Sequence, residues 1–236
     1  MERGAGDCAV DAAAVVLCVR DPMKILLFGA SGTAGGAVLQ ACLDTTVVKE
    51  VRVIVRRPLA WTEAKLWELV QTNYLDYAAV TEAFRAVDAC LFCLGISVTQ
   101  VSKEEFVKIS HDYAIAAAKM LKTESPGAAF HYISGKGTRA ESRTFWSKVG
   151  QTENELMELV GANCWRPGFI DAEPSASLPK VYAVLRPALR LLKPFHSLYV
   201  AGEDLGRAML EATRENLRRR VIENAEIREL AERFGA

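Results

Sequence analysis

The stretch that decides the fold is Lys24–Leu43, KILLFGASGTAGGAVLQACL. Its apolar run breaks at Gly29, turns through small residues, and resumes with the spacing of a helix. Gly29, Gly32 and Gly35 make G-x-x-G-x-x-G across that strand-to-helix turn. Gly29 is expected to permit a tight turn, Gly32 to let the backbone approach a pyrophosphate, and Gly35 to let helix and strand pack closely. The helix start, through Ser31, Thr33 and Ala34, would then turn N–H groups and a positive dipole end toward phosphate oxygens. The other reading is a glycine-rich turn that holds no ligand. A P-loop does not fit, because Gly36 is followed by Ala37 and Val38 where that motif needs lysine and a hydroxyl residue.

Outward from this unit, strand-like and helix-like segments alternate. VRVIVRRP (51–58) is β-branched and closed by Pro58, and KLWELVQTNYLD (65–76) reads as a third strand entering a loop. AAVTEAFRAV (78–87) reads as helix, and DACLFCLGIS (88–97) as a buried strand. Ser102–Glu105 has the capping-box form and opens a helix through Lys122. AAFHYIS (128–134), a helix at 152–160 and NCWRPGF (163–169) follow, and a strand and helix close the chain over 218–234. Strands alternating with helices imply right-handed βαβ units and an α/β, doubly wound parallel sheet of the Rossmann kind. Residues 171–200 mix prolines with apolar residues and are expected to form a small C-terminal lid or substrate-side region beside the strand ends. A dimer face, or a membrane-surface helix with Arg186, Arg190 and Lys193 on its polar side, are the other readings of that stretch.

The chain has 236 residues, half of them apolar, and a formal charge of zero. One globular domain over 23–236 is expected, with 1–22 a disordered or untranslated extension. The dispersed charge points away from nucleic acid. The apolar stretch 12–19 is too short to cross a bilayer, so no transmembrane segment is expected. Six cysteines sit mostly within apolar runs, which suggests a reducing, cytoplasmic compartment. Cys90-Leu-Phe-Cys93 falls inside a buried strand and reads as packing rather than redox chemistry. His111, His131 and His196 lack ligand spacing, so no metal site is expected.

Arg56 and Arg57 end the second strand, where NAD-preferring folds carry an acidic residue for the ribose hydroxyls. A guanidinium there suits a 2′-phosphate, so NADP(H) is favoured over NAD(H). Taken in order, GASGTAG (29–35), this basic residue, NYLDY (73–77), CLG (93–95), YISGKG (132–137) and RPGFI (166–170) resemble the atypical short-chain dehydrogenase/reductases, the epimerase-like and NmrA-like proteins. The resemblance covers about Met23 to Leu217. It implies that Asn73 and Tyr74 lie near an adenine, Leu94 and Gly95 along the cofactor, and Pro167, Gly168 and Ile170 near a nicotinamide.

Reductases of that superfamily use a Tyr-x-x-x-Lys pair on the helix after the fifth strand, with a serine near the strand's end. Ser134 matches the serine, but no tyrosine lies between it and Arg166-Pro-Gly. Indole and threonine side chains in the nearby RTFWSKVG (143–150) are poor substitutes for a phenol as acid. Two functions are therefore carried forward. One is an oxidoreductase or epimerase in which Ser134 polarises the carbonyl of a small substrate and water near Lys148 supplies the acid. The other is a non-catalytic, dinucleotide-sensing regulatory protein. Monomer and homodimer fit either one.

Overall fold

The computed structural model describes residues 22–96, 100–138, 146–172 and 186–234. The extension before residue 22, and residues 173–185 of the expected lid, lie outside them. Seven strands form one parallel sheet: β1 (Met23–Phe28), β2 (Val48–Val55), β3 (Leu66–Val70), β4 (Ala89–Phe92), β5 (Ala129–Ile133), β6 (Asn163–Arg166) and β9 (Val221–Glu223). Their spatial order is β3-β2-β1-β4-β5-β6-β9, so the strand order reverses between β1 and β4. This is the doubly wound sheet expected from the alternation. Two further strands, β7 (Phe169–Asp171) and β8 (Tyr199–Ala201), pair in parallel as a separate platform.

Both faces of the sheet are covered, which is why its strands read as unbroken apolar runs. Ile25 and Leu27 of β1 face one core with Val38, Leu39 and Cys42 of α1 (Thr33–Asp44). The same core takes Leu205 and Met209 of α5 (Gly202–Arg214) and Ile227 and Leu230 of α6 (Asn224–Phe234). Leu26 and Phe28 face the other core with Phe84, with Ala114 and Leu121 of α3 (Tyr113–Glu124), and with Val149 and Leu156 of α4 (Trp146–Val160).

The helix expected over 102–122 forms with one irregularity. Ser102 Oγ accepts from the Glu105 backbone N–H and caps α2 (Lys103–Val107), as the capping box foretold. A π-helical segment, Lys108–Asp112, then leads into α3. The helix expected over 78–87 is instead a 3₁₀ helix, Ala78–Phe84, broken at Val80. Two competitors account for this. Thr81 Oγ1 donates back to the carbonyls of Tyr77 and Ala78. The buried Arg52 guanidinium reaches across from β2 to the carbonyls of Glu82, Ala83 and Arg85, drawing the terminal carbonyls toward itself. The expected sixth strand, 163–169, is likewise divided: β6 ends at Arg166, and Phe169 begins the β7–β8 platform.

Candidate functional site

The glycine turn sits at the carboxyl ends of β1 and β4, where the strand order reverses. Gly29 has φ +80°, and a Cβ there would lie 2.5 Å from the Cys93 carbonyl oxygen. Only glycine combines that conformation with that approach. The Gly32 N–H closes the turn on the Gly29 carbonyl at 2.8 Å. A Cβ on Gly35 would lie 2.1 Å from the Gly29 oxygen, so this glycine seats α1 on the strand end. Gly32 differs: its Cβ would meet one neighbour, at 3.2 Å, and otherwise points to open space. It is also the N-cap of α1 and gives the helix no side-chain cap. Gly29 and Gly35 are thus fixed by close backbone contacts, whereas Gly32 leaves its side of the turn open.

Around the turn, Ser31, Arg56 and Gly95 are exposed, Leu94 is half-buried, and Ala30, Ser31 and Gly32 border a cavity of about 550 Å³ reaching Trp61 and Asp171. Thr33 and Ala34 occupy the first turn of α1. Asn73 is exposed, and its Oδ1 accepts the Leu75 N–H. Tyr74, expected near the adenine, has its side chain in the core. Its ring is 2% exposed, packs edge-on against Phe28 and Tyr113, and its hydroxyl donates to the Ile54 carbonyl. Burial raises the phenol to about 12 despite nearby Arg56. Tyr74 is core, so an adenine at this edge would meet its backbone and not its ring.

Ser134 lines a second cavity of about 560 Å³ with Lys136, Pro167, Gly168, Phe169 and Leu198. Gly168 is fixed by packing: a Cβ would lie 2.4 Å from the Leu198 oxygen, and its N–H donates to Asn224 Oδ1. Ile170 lies within β7 and packs on the core below. Ser134 Oγ donates to Glu153 Oε1 at 2.5 Å. Glu153, 2% exposed, also accepts from Arg166 Nε and Nη2. Hydrogen bonding to the Glu153 carboxylate foremost holds the Arg166 proton more tightly than usual, against the cost of desolvation.

Lys148 is not among the residues that line the Ser134 cavity. Five residues before Glu153 on α4, it lies about 140° around the helix from that carboxylate. The residue one turn before Glu153 on the same face is Val149, which is buried. Lys148 is half-buried, and its carbonyl takes the Thr152 hydroxyl. Residues 139–145, which include Thr144, lie outside the described ones.

Sequence reasoning missed Glu153, Arg166 and Asp171. Asp171 ends β7 and accepts from Arg186 Nε at 2.8 Å, Arg190 Nε at 2.9 Å and the Tyr199 hydroxyl at 2.8 Å. Burial opposes its ionisation, but these hydrogen bonds outweigh it and hold the carboxyl below its usual value. Arg186 and Arg190 thus turn back to the platform instead of forming a polar face with Lys193. His131 is a satisfied core residue. Trp165 Nε1 donates to its Nδ1, its Nε2 meets Thr213 Oγ1, and burial foremost lowers it to about 3. His111 lies between Asp112 and Glu155 on the helix surface. Cys90 and Cys93 are buried free thiols pushed well up by desolvation, as packing residues would be. Among the described residues, no group of three or more His, Cys, Asp or Glu suits a metal. No described helix is long and apolar enough to cross a membrane.

No family model matches the chain. It is 26% identical over 164 residues to protein HTATIP2 of Rattus norvegicus, covering 66% of each chain, so it spans just under two thirds of that relative. It is 26% identical over 219 residues to the mitochondrial protein FMP52 of Eremothecium gossypii, covering 87% of this chain and 96% of that one. That relative's mitochondrial name corrects the expectation of a cytoplasmic compartment, which rested on cysteine placement. Buried cysteines report packing, and packing does not distinguish one reducing compartment from another. Among solved structures, a short-chain dehydrogenase/reductase family oxidoreductase from Burkholderia thailandensis superposes with a TM-score of 0.63 at 15% identity. That match covers 86% of this chain and 90% of the other. Strand order, glycine turn and structural match agree on a Rossmann fold similar to that of short-chain dehydrogenase/reductase family proteins.

Proposed function

We propose that this chain binds NADP(H) across the β1–α1 turn and holds a small molecule in the cavity at Ser134, as an oxidoreductase- or epimerase-like protein working without a Tyr-x-x-x-Lys pair. The observation that carries the reading is the glycine cradle. Gly29 and Gly35 are each sterically obligatory, while Gly32 leaves the pyrophosphate approach open. Gly32 and Ser31 would hold the phosphates and exposed Arg56 the 2′-phosphate. Leu94 and Gly95 would flank the cofactor, with Pro167 and Gly168 at the nicotinamide end. The bound nicotinamide supplies hydride chemistry; the chain supplies orientation and, through Ser134, a polar contact to the substrate.

Titration with NADPH, NADH, NADP and NAD, read by tryptophan quenching, tests the reading. Arg56→Ala should weaken the phosphorylated forms by about tenfold or more, the loss of one charge-assisted contact, and leave the others unchanged. Gly32→Val should abolish binding of all four. Failure of every form to bind the wild-type protein would reduce the cradle to architecture. The regulatory reading is supported by Val149 standing one turn before Glu153, on the face of α4 that the lysine of a reductase would share. It requires a partner whose affinity differs among the empty, oxidised and reduced forms.

A further inference from the structure

The hydroxyl of Ser134 has one proton, and its direction is settled by its neighbours. Two oxygens lie within reach: Glu153 Oε1 at 2.5 Å and the Trp165 carbonyl at 3.1 Å. The Trp165 carbonyl already accepts the Ser134 N–H at 2.9 Å and the Gly135 N–H at 3.2 Å, which occupies both of its lone pairs. Glu153 is a carboxylate gripped on both oxygens by Arg166, and it accepts only. The Ser134 proton therefore points inward to Glu153, and what remains for the cavity is lone-pair density. A serine that polarises a substrate carbonyl must point its proton the other way.

We infer that the cavity at Ser134 selects a ligand that donates a hydrogen bond, a hydroxyl or amide N–H, at the point where a carbonyl reductase would seat a carbonyl oxygen, with Glu153 as the positioning residue that sets this polarity. The inference rests on the proposed reading of this cavity as the substrate side of a dinucleotide site. It replaces the expectation that Ser134 donates to a carbonyl. Two acceptors brought face to face cannot share a proton, and the mismatched ligand leaves both desolvated and unpaired. Of the cavity's other walls, Phe169, Leu192 and Leu198 are apolar and Lys136 spends an Nζ proton on the Ser197 carbonyl, so a compact alicyclic probe suits them.

The test measures binding of cyclohexanol and cyclohexanone by ligand-observed NMR, with and without saturating NADP. The wild-type protein should prefer the alcohol by about tenfold, the scale of one buried unpaired acceptor. Ser134→Ala should bring the ratio close to one. Glu153→Gln should reverse it: with the amide N–H turned to Ser134 Oγ its oxygen keeps Arg166 Nη2 while Arg166 Nε gives up its acceptor, and the serine proton is released to the cavity. If Glu153→Gln fails to fold, the Ser134→Ala comparison decides alone. Equal affinities, a preference for the ketone, or no binding of either probe in the wild-type protein overturns the inference. The NADP titration is read separately: alcohol preference without cofactor binding supports the inference about Ser134 and removes the dinucleotide reading around it.

Discussion

Replacing Gly35 with alanine tests the seating of α1 on the sheet, because the structure reverses the sign that helix propensity alone would give. In an unconstrained helix interior, Gly→Ala stabilises by about 0.5–1 kcal/mol through reduced chain entropy. At Gly35 the new methyl would stand 2.1 Å from the Gly29 oxygen and 2.5 Å from its carbonyl carbon. Those distances fall more than about 1 Å short of a comfortable contact. The opposing atoms are backbone in a turn whose φ is already +80°, so no rotamer change relieves the clash and the helix must move. Overpacking of this kind costs about 1–3 kcal/mol, and rigid surroundings favour the upper part. After the propensity gain, a net loss of about 2 kcal/mol remains, equivalent to a fall in Tm of about 4–8 °C for a domain of this size. Gly36 provides the control. Its Cβ would stand 3.3 Å from the Ala30 oxygen, a contact that a few tenths of an ångström relieves. Thermal unfolding followed by circular dichroism should show Gly35→Ala well below the wild type and Gly36→Ala near it. A Gly35→Ala protein as stable as the wild type would refute the steric account of the cradle.

Two further expectations concern buried titratable groups. Because burial lowers His131 to about 3, while an unfolded histidine titrates near 6.5, the unfolded chain binds more protons between those values. The contribution is whole above about pH 6.5 and is lost as pH falls toward 3, amounting to about 2 kcal/mol between pH 7 and pH 5. Urea unfolding at the two pH values should show this loss, and a flat profile would place His131 in water. The four described cysteines are buried, and desolvation raises Cys42 to about 12 and the other three further. A thiol-specific dye should leave Cys42, Cys90, Cys93 and Cys164 unlabelled until the protein unfolds, as mass spectrometry of the labelled peptides would show.

The fold was legible because its signals are local. The apolar runs of β1, β2 and β4 are continuous, and the glycine triplet marks the strand-to-helix turn between β1 and α1. The site was legible only where it shares that turn. Ser134, Glu153 and Arg166 carry no pattern linking them along the chain; the parallel pairing of β5 with β6 brings the first and third together, and α4 swings the carboxylate between them. Asp171 and its arginines are 15 and 19 residues apart, joined by chain whose apolar content invites other readings. The burial of the Tyr74 ring was illegible for a different reason. An aromatic beside an adenine and an aromatic in a core look alike in sequence, and only the hydroxyl's partner, the Ile54 carbonyl, tells them apart.

The parallel pairing of β7 with β8 brings both ends of a long excursion to one place, Asp171 beside Ala201 and Phe169 beside Tyr199. Asn224 fastens that junction from α6, donating to the carbonyls of His196 and Tyr199 and accepting the Gly168 N–H. An excursion pinned at its two ends behaves as an exchangeable cassette, since lengthening such a loop costs little once its closure is made. Mutation can rewrite what lies between the pins while the sheet and its glycine turn keep their form.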